Sequence, residues 1–164
     1  MQQGSRVFWR IGWVFLKPLM RFYWRLTRPL TIGVRALVRD GEGRVLLVRH
    51  SYIPGWYMPG GGVERGETAR HALTRELDEE AGIILKAGVM PELIGLFANF
   101  REFKSDHVAL YLVEAQHYER VARSSLEIAE YGFFAFDALP EAITPSTRAR
   151  LVEFQQSLPA PDMW

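Results

Sequence analysis

The chain has 164 residues, 48% hydrophobic and 24% charged, which is the make-up of one folded domain and excludes a disordered protein. A formal net charge of +1 excludes a global attraction to nucleic acid, so any phosphate-binding surface has to be local. The lack of cysteine excludes disulfides and thiolate metal sites, fits a reducing compartment, and leaves only oxygen or imidazole ligands for a metal.

Residues 1–29 form a basic, aromatic, amphipathic segment ahead of a folded domain expected over 30–164. The segment holds Trp9, Trp13 and Trp24 and no acid, and its cations are Arg6, Arg10, Lys17, Arg21, Arg25 and Arg28. Wound as a helix over 5–28, all six cations fall within about 100° of arc, with Phe8, Phe15, Leu19 and Phe22 opposite. Pro18 predicts a kink or division midway. The longest uncharged run there, residues 11–16, is far short of the roughly 20 that a spanning helix needs. Lys17 and Pro18 also break the apolar stretch, and no small-residue cleavage site follows, which argues against a signal peptide. Four roles are open to the segment: packing on its own domain, packing on a second subunit in a homodimer, peripheral membrane contact through residues 5–28, or loose order. The expected location is cytoplasmic, with the inner face of a membrane as the peripheral variant.

Residues 31–40 read as a strand, and Gly41, Glu42 and Gly43 as a hairpin turn into a second strand over 44–49. Residues 51–62 form a loop punctuated by Pro54-Gly55 and by Pro59 with three glycines. The spacing predicts a helix over 68–81 that stops at Gly82. Strands are expected over 92–100 and 107–115, joined by a polar turn, and a short aromatic strand over 131–136. A closing helix over 145–157 carries Pro145 in its first turn. Strands, a helix, more strands and a final helix make an α/β (α+β) layered domain.

The helix over 68–81 carries the chemistry. At about 100° per residue, Glu76, Glu79 and Glu80 share one arc with Ala69 and Ala72, flanked by Leu73 and Leu77. Asp78 falls on the far side with His71 and Thr74. A solvated acidic face would gather the acids around Asp78, yet three of the four lie beside the apolar stripe. Carboxylates at i, i+3 and i+4 repel one another, and desolvation sharpens the conflict unless a cation neutralises them. Hard dications with oxygen ligands suit such a set, magnesium above all where phosphates are also held. Arg75 neighbours this face and can orient a carboxylate or meet a phosphate. The preceding Pro59-Gly60-Gly61-Gly62 lets backbone approach another group closely, although a turn demanded by the fold explains glycines equally well.

Gly61, five residues, Glu67, seven residues, then Arg75-Glu76-Leu77-Asp78-Glu79-Glu80-Ala81-Gly82-Ile83 resembles the Nudix box at every fixed position. The approach through Trp56, Tyr57 and Met58 and the Leu139-Pro140 segment are also similar to the layout of that family. The resemblance implies an α/β/α sandwich around a mixed β-sheet and a pyrophosphohydrolase whose substrate is a small-molecule diphosphate, commonly a nucleoside diphosphate joined to another group. It further implies that Glu76, Glu79, Glu80 and the Gly61 carbonyl hold magnesium, with manganese as a substitute. Glu67 and Arg75 would support the site as a charge pair, and Glu79 would take the proton of the attacking water. Some members add a distant glutamate; Glu127 is the candidate here, with Glu130 and Asp106 as rivals.

Substrate contacts are expected from Arg49, Tyr52, Trp56 and Arg101, with His50, Tyr57 and Lys104 nearby. Aromatics would stack and cations would meet phosphate, although each aromatic could equally pack on the sheet. Two other function classes are compatible: a non-catalytic nucleotide sensor of the same fold, and a membrane-surface protein acting through its N-terminal helix. A sensor is expected to have lost box carboxylates, and none is missing.

Overall fold

The computed structural model describes residues 30–101, 105–123 and 125–164. The basic segment 1–29, with its expected kink, subunit contact and membrane contact, lies outside the described residues, as does Lys104. Among the described residues no helix is long and apolar enough to cross a membrane.

In chain order the elements are β1 (Thr31–Val38), β2 (Val45–His50), α1 (Ala69–Ala81), β3 (Ile83–Leu85), β4 (Glu92–Ala98), β5 (Asp106–Val113), β6 (Tyr118–Arg120), β7 (Ile128–Phe134) and α2 (Pro145–Gln155). β1 runs parallel to β5, and β5 pairs antiparallel with β4, giving a mixed sheet of order β1-β5-β4. β2 pairs antiparallel with β7, and β3 with β6.

Period-two alternation sorts the strands between two helical layers. Val34, Ala36 and Val38 of β1 and Ala109 and Val113 of β5 pack with Leu73 and Leu77 of α1. Leu37 of β1, Leu47 of β2 and Leu110 of β5 face the other way, onto Trp56, Ile143 and Leu151 of α2. The result is the helix–sheet–helix sandwich with mixed pairing.

The expected β1–β2 hairpin does not form. The turn is there: the Asp40 carboxylate accepts from the Glu42 and Arg44 amides at 3.0 and 2.9 Å, and Gly43 takes φ 77°. Beyond one bridge, Arg39 to Val45, the strands separate into different sheets. The reason is that β1 has no free edge. β5 occupies one side, and on the other the glycine-rich loop bonds along it, through Val34 N–H to Gly61 O (2.8 Å), Ala36 N–H to Pro59 O (2.9 Å) and Val63 N–H to Ile32 O (2.9 Å). β3 and β6 were not anticipated, being three residues each, too short to show alternation.

Candidate active site

α1 is held at both ends by the residues that delimit it in the sequence. Thr68 caps it, its hydroxyl accepting from the His71 amide at 3.2 Å, and Gly82 closes it at φ 62°. Burial of Ala72, Leu73, Leu77 and Ala81 fixes its rotation. Glu80 then points inward and is 7% exposed. Glu79, at the rim of the predicted arc, has a side chain 60% exposed.

The glycine loop crosses this face so closely that side chains have no room. A Cβ on Gly60, which has φ 135°, would overlap the Val34 carbonyl; one on Gly61 would run into the Glu76 carboxylate. The Gly60 amide donates to Glu80 Oε2 at 2.7 Å, and Arg35 from β1 donates to the Gly60 carbonyl. The Gly61 carbonyl already accepts from Val34, which leaves its second lone pair available.

Arg75 binds Glu67 through two parallel bonds of 3.1 and 3.2 Å, so the charge pair expected between loop and helix is present. It also reaches Glu76 Oε1 at 2.7 Å, Glu79 Oε2 at 3.3 Å and the Gly62 carbonyl at 3.2 Å. The guanidinium hydrogen-bonded to Glu67 holds that carboxyl below its usual range.

Glu80 is the electrostatic anomaly. Burial pushes its carboxyl up to about 7; the Gly60 amide and Arg35 oppose the shift, while Glu76 and Glu127 add to it. The His50 imidazole lies 3.7 Å away, but burial and then Arg35 push its own basicity down. A raised folded-state value means that, between about 4.5 and 7, the folded protein binds more protons than the unfolded chain, so stability falls as pH rises. The metal-free protein is therefore expected to lose about 3 kcal/mol across that window and to level off above it. Thermal unfolding in a chelator from pH 4.5 to 8, wild type against Glu80→Gln, checks this: the gap should grow in favour of the variant as pH rises. A gap constant with pH would remove the buried charge from the account.

An open cleft of about 540 Å³ lies over this face, lined by Glu76, Asp78, Glu79, Glu80 and Glu127, with Arg123 as its cation. Asp78 thus lines the same cleft, contrary to its expected place on the far side, and is neutralised by Arg123 through bonds of 2.7 and 2.9 Å. Glu127 is brought across the cleft because the Ser51 amide donates to its carbonyl at 2.7 Å. Its two rivals lie elsewhere: Glu130 pairs with Arg49 at 2.9 Å, and Asp106 faces another cleft. The donor set, carboxylate oxygens with a glycine carbonyl beside them and no sulfur, fits a hard dication. Among the described residues no three acidic or imidazole groups are already gathered round one point. Glu76 and Glu79 turn to Arg75, and Glu80 to the Gly60 amide, so ligation has to exchange those bonds for a cation.

A second cleft, of about 470 Å³, opens beside the glycine loop. Gly61 and Gly62 line it, with Arg35, Tyr57, Asn99, Asp106 and Trp164. Asn99 donates to Asp106 at 2.9 Å, and the Thr31 hydroxyl donates to the same carboxylate at 2.7 Å. None of the four residues expected to hold substrate lines it. Trp56 is 8% exposed and packs edge-on against Phe134, so it is a core residue and not a stacking platform. Arg49 is engaged by Glu130, Tyr52 is exposed against His50, and Arg101 is exposed in the β4–β5 turn. Of the neighbouring candidates among the described residues, Tyr57 reaches the cleft and His50 does not. Arg35 was overlooked, although a lone cation inside the apolar run Thr31–Val38 is a signal that it faces something polar.

The chain is similar to known proteins in sequence and in fold. A stretch of 60 residues, 35% of the chain, is 46% identical to an RNA pyrophosphohydrolase of Dinoroseobacter shibae. Another of 61 residues, 37% of the chain, is 48% identical to a diphosphoinositol polyphosphate phosphohydrolase of Rattus norvegicus. These matches span 38% and 32% of the relatives' own lengths. The crystal structure of a MutT protein from Methanosarcina mazei superposes over 80% of this chain and 96% of that one, at 26% identity and a TM-score of 0.63. Residues 29–154 match the NUDIX domain, and with the box in place on α1 and its glycine loop, the chain belongs to the Nudix family.

Proposed function

We propose that the protein is a magnesium-dependent pyrophosphohydrolase that cuts the phosphoanhydride bond of a nucleoside diphosphate joined to another group. The observation that carries this reading is the glycine loop, which touches Glu76 and Glu80 of one cleft and itself lines another. One is lined by five carboxylates, and in the other Arg35 is the only lining cation among the described residues. A diphosphate laid over Gly61 and Gly62 would have its reacting phosphorus on the acidic side and its remaining group on the other.

Glu76, Glu79, Glu80 and the Gly61 carbonyl would hold the ion. Magnesium, or manganese in its place, supplies Lewis acidity at the phosphoryl oxygens and makes a bound water more acidic. Glu79, the most exposed of the three acids, is the carboxylate best placed to take the proton of the attacking water, with Glu127 facing it across the cleft. Attack on one phosphorus breaks the bridging P–O bond, and the departing phosphate keeps the bridging oxygen. Arg75 keeps Glu67, Glu76 and the Gly62 carbonyl in register, while Arg35 offers charge to a phosphate on the side of the second cleft.

The curated relatives are named for different substrates, RNA in one case and a diphosphoinositol polyphosphate in the other, so the group beyond the diphosphate has to be found by assay. A screen of diphosphate compounds with magnesium should show turnover by the wild type and, for Glu79→Gln, a loss on the order of 10²-fold or more. Equal turnover by the variant would remove Glu79 from the chemistry. No turnover of any compound would turn the reading toward a nucleotide sensor of the same fold.

A further inference from the structure

The segment that follows α2 is built into the second cleft. β4 pairs with β5 along one edge only, and residues 162–164 cover its other edge at Ala98. The Ala98 amide donates to the Asp162 carbonyl at 2.8 Å, and the Trp164 amide donates to the Ala98 carbonyl at 3.0 Å. Arg150 of α2, 5% exposed, locks this strap. It donates to the Met163 carbonyl at 2.6 Å and to Glu153 at 2.5 Å. Its guanidinium carbon lies 4.8 Å from the Phe97 ring centre and 5.6 Å from that of Trp164. Phe97 and Trp164 meet edge to face at 5.4 Å.

The edge of β4, Arg150 and Phe97 thus all fix the position of this one tryptophan. The indole is only partly buried, and it lines the cleft together with Asn99, Tyr57, Gly61 and Gly62. With Tyr57 it supplies the aromatic rings that, among the described residues, line a cleft whose volume, about 470 Å³, is that of a site for a small ligand. Asn99 and Asp106, hydrogen-bonded to each other, add polar groups to the lining.

We infer that Trp164 is a substrate-contacting specificity residue, the wall against which the base of a nucleotide packs, and that Arg150 is its positioning residue. The inference rests on the second cleft taking the organic half of the diphosphate. It commits that half to a planar aromatic base in preference to a sugar or polyol.

Nucleoside monophosphates carry no anhydride to cut, so they separate binding from turnover. Calorimetry with AMP, GMP and UMP, set against ribose 5-phosphate, should show that the wild type prefers at least one nucleotide to the baseless phosphate. Trp164→Ala should weaken that nucleotide about tenfold and leave ribose 5-phosphate unchanged, as expected for one lost stacking partner. Trp164→Phe should restore most of the preference, and Arg150→Lys should reduce it without removing it. A wild type indifferent to the base would overturn the inference, as would a Trp164→Ala that lowers both affinities equally or neither. Base-dependent binding without hydrolysis of any diphosphate would remove the hydrolase reading and leave this one standing. Hydrolysis together with affinities indifferent to Trp164 would do the reverse.

Discussion

Glu80→Gln is expected to lower phosphoanhydride hydrolysis by about 10³-fold, corresponding to about 4 kcal/mol of transition-state stabilisation. The same substitution should raise the stability of the metal-free protein at neutral pH. Both effects have one cause. Glu80 is 7% exposed and sits among Glu76 and Glu127, so its ionised form is costly until a cation offsets it. The amide of glutamine keeps the shape and can still accept from the Gly60 amide, but it carries no charge for a dication. Steady-state rates and chelator-treated melting curves on one preparation check the pair of effects. A variant that is both inactive and less stable would mean that Glu80 is a packing residue. One that is stable and fully active would exclude it from the site. The expected opposition of the two effects follows the general trade between stability and activity.

Gly60→Ala carries the largest structural penalty. Gly60 has φ 135°, and a Cβ there would overlap the carbonyl of Val34, which is backbone inside β1 and has nowhere to move. Relief requires the loop to leave the edge of β1, with loss of the bonds to Val34 and Ala36 and of the contact between the Gly60 amide and Glu80. A loss of about 3–5 kcal/mol in chemical denaturation is expected, at the upper end for a single substitution. Gly62→Ala is the control two positions away, because a Cβ there meets nothing within 4 Å. It should cost about 1 kcal/mol or less. Equal midpoints for the two variants would contradict the packing of the loop against β1.

The legible parts of this protein were those written in local sequence. The helix over 68–81 announces itself by a threonine cap, an αL glycine and a 3.6-residue period, and each is satisfied within a few residues of where it occurs. The same winding put Glu76, Glu79 and Glu80 together on the core side; Glu76 and Glu80 lie there, whereas the Glu79 side chain is 60% exposed. What it could not show is that Arg123, far along the chain, reaches back to Asp78 and makes that acid part of the cleft. Strand pairing was misread for a related reason. A turn with good local chemistry at Asp40 and Gly43 predicts a hairpin, but the edge that β2 would need is taken by a loop over twenty residues downstream. The second cleft was the least legible feature, since Arg35, Asn99 and Trp164 come from β1, the end of β4 and the strap after α2. Only tertiary structure brings them together, whereas Trp56, beside the box, serves the core.

The central claim is that the acidic face of α1 is a divalent-cation site. Manganese titration followed by electron paramagnetic resonance tests it most directly, on the wild type and on the combined Glu76→Gln, Glu79→Gln and Glu80→Gln variant. Melting curves would confirm that the variant is folded. Saturable binding by the wild type, competed by magnesium and lost in the folded variant, is the result expected. Binding of the same strength and stoichiometry in both proteins would contradict it.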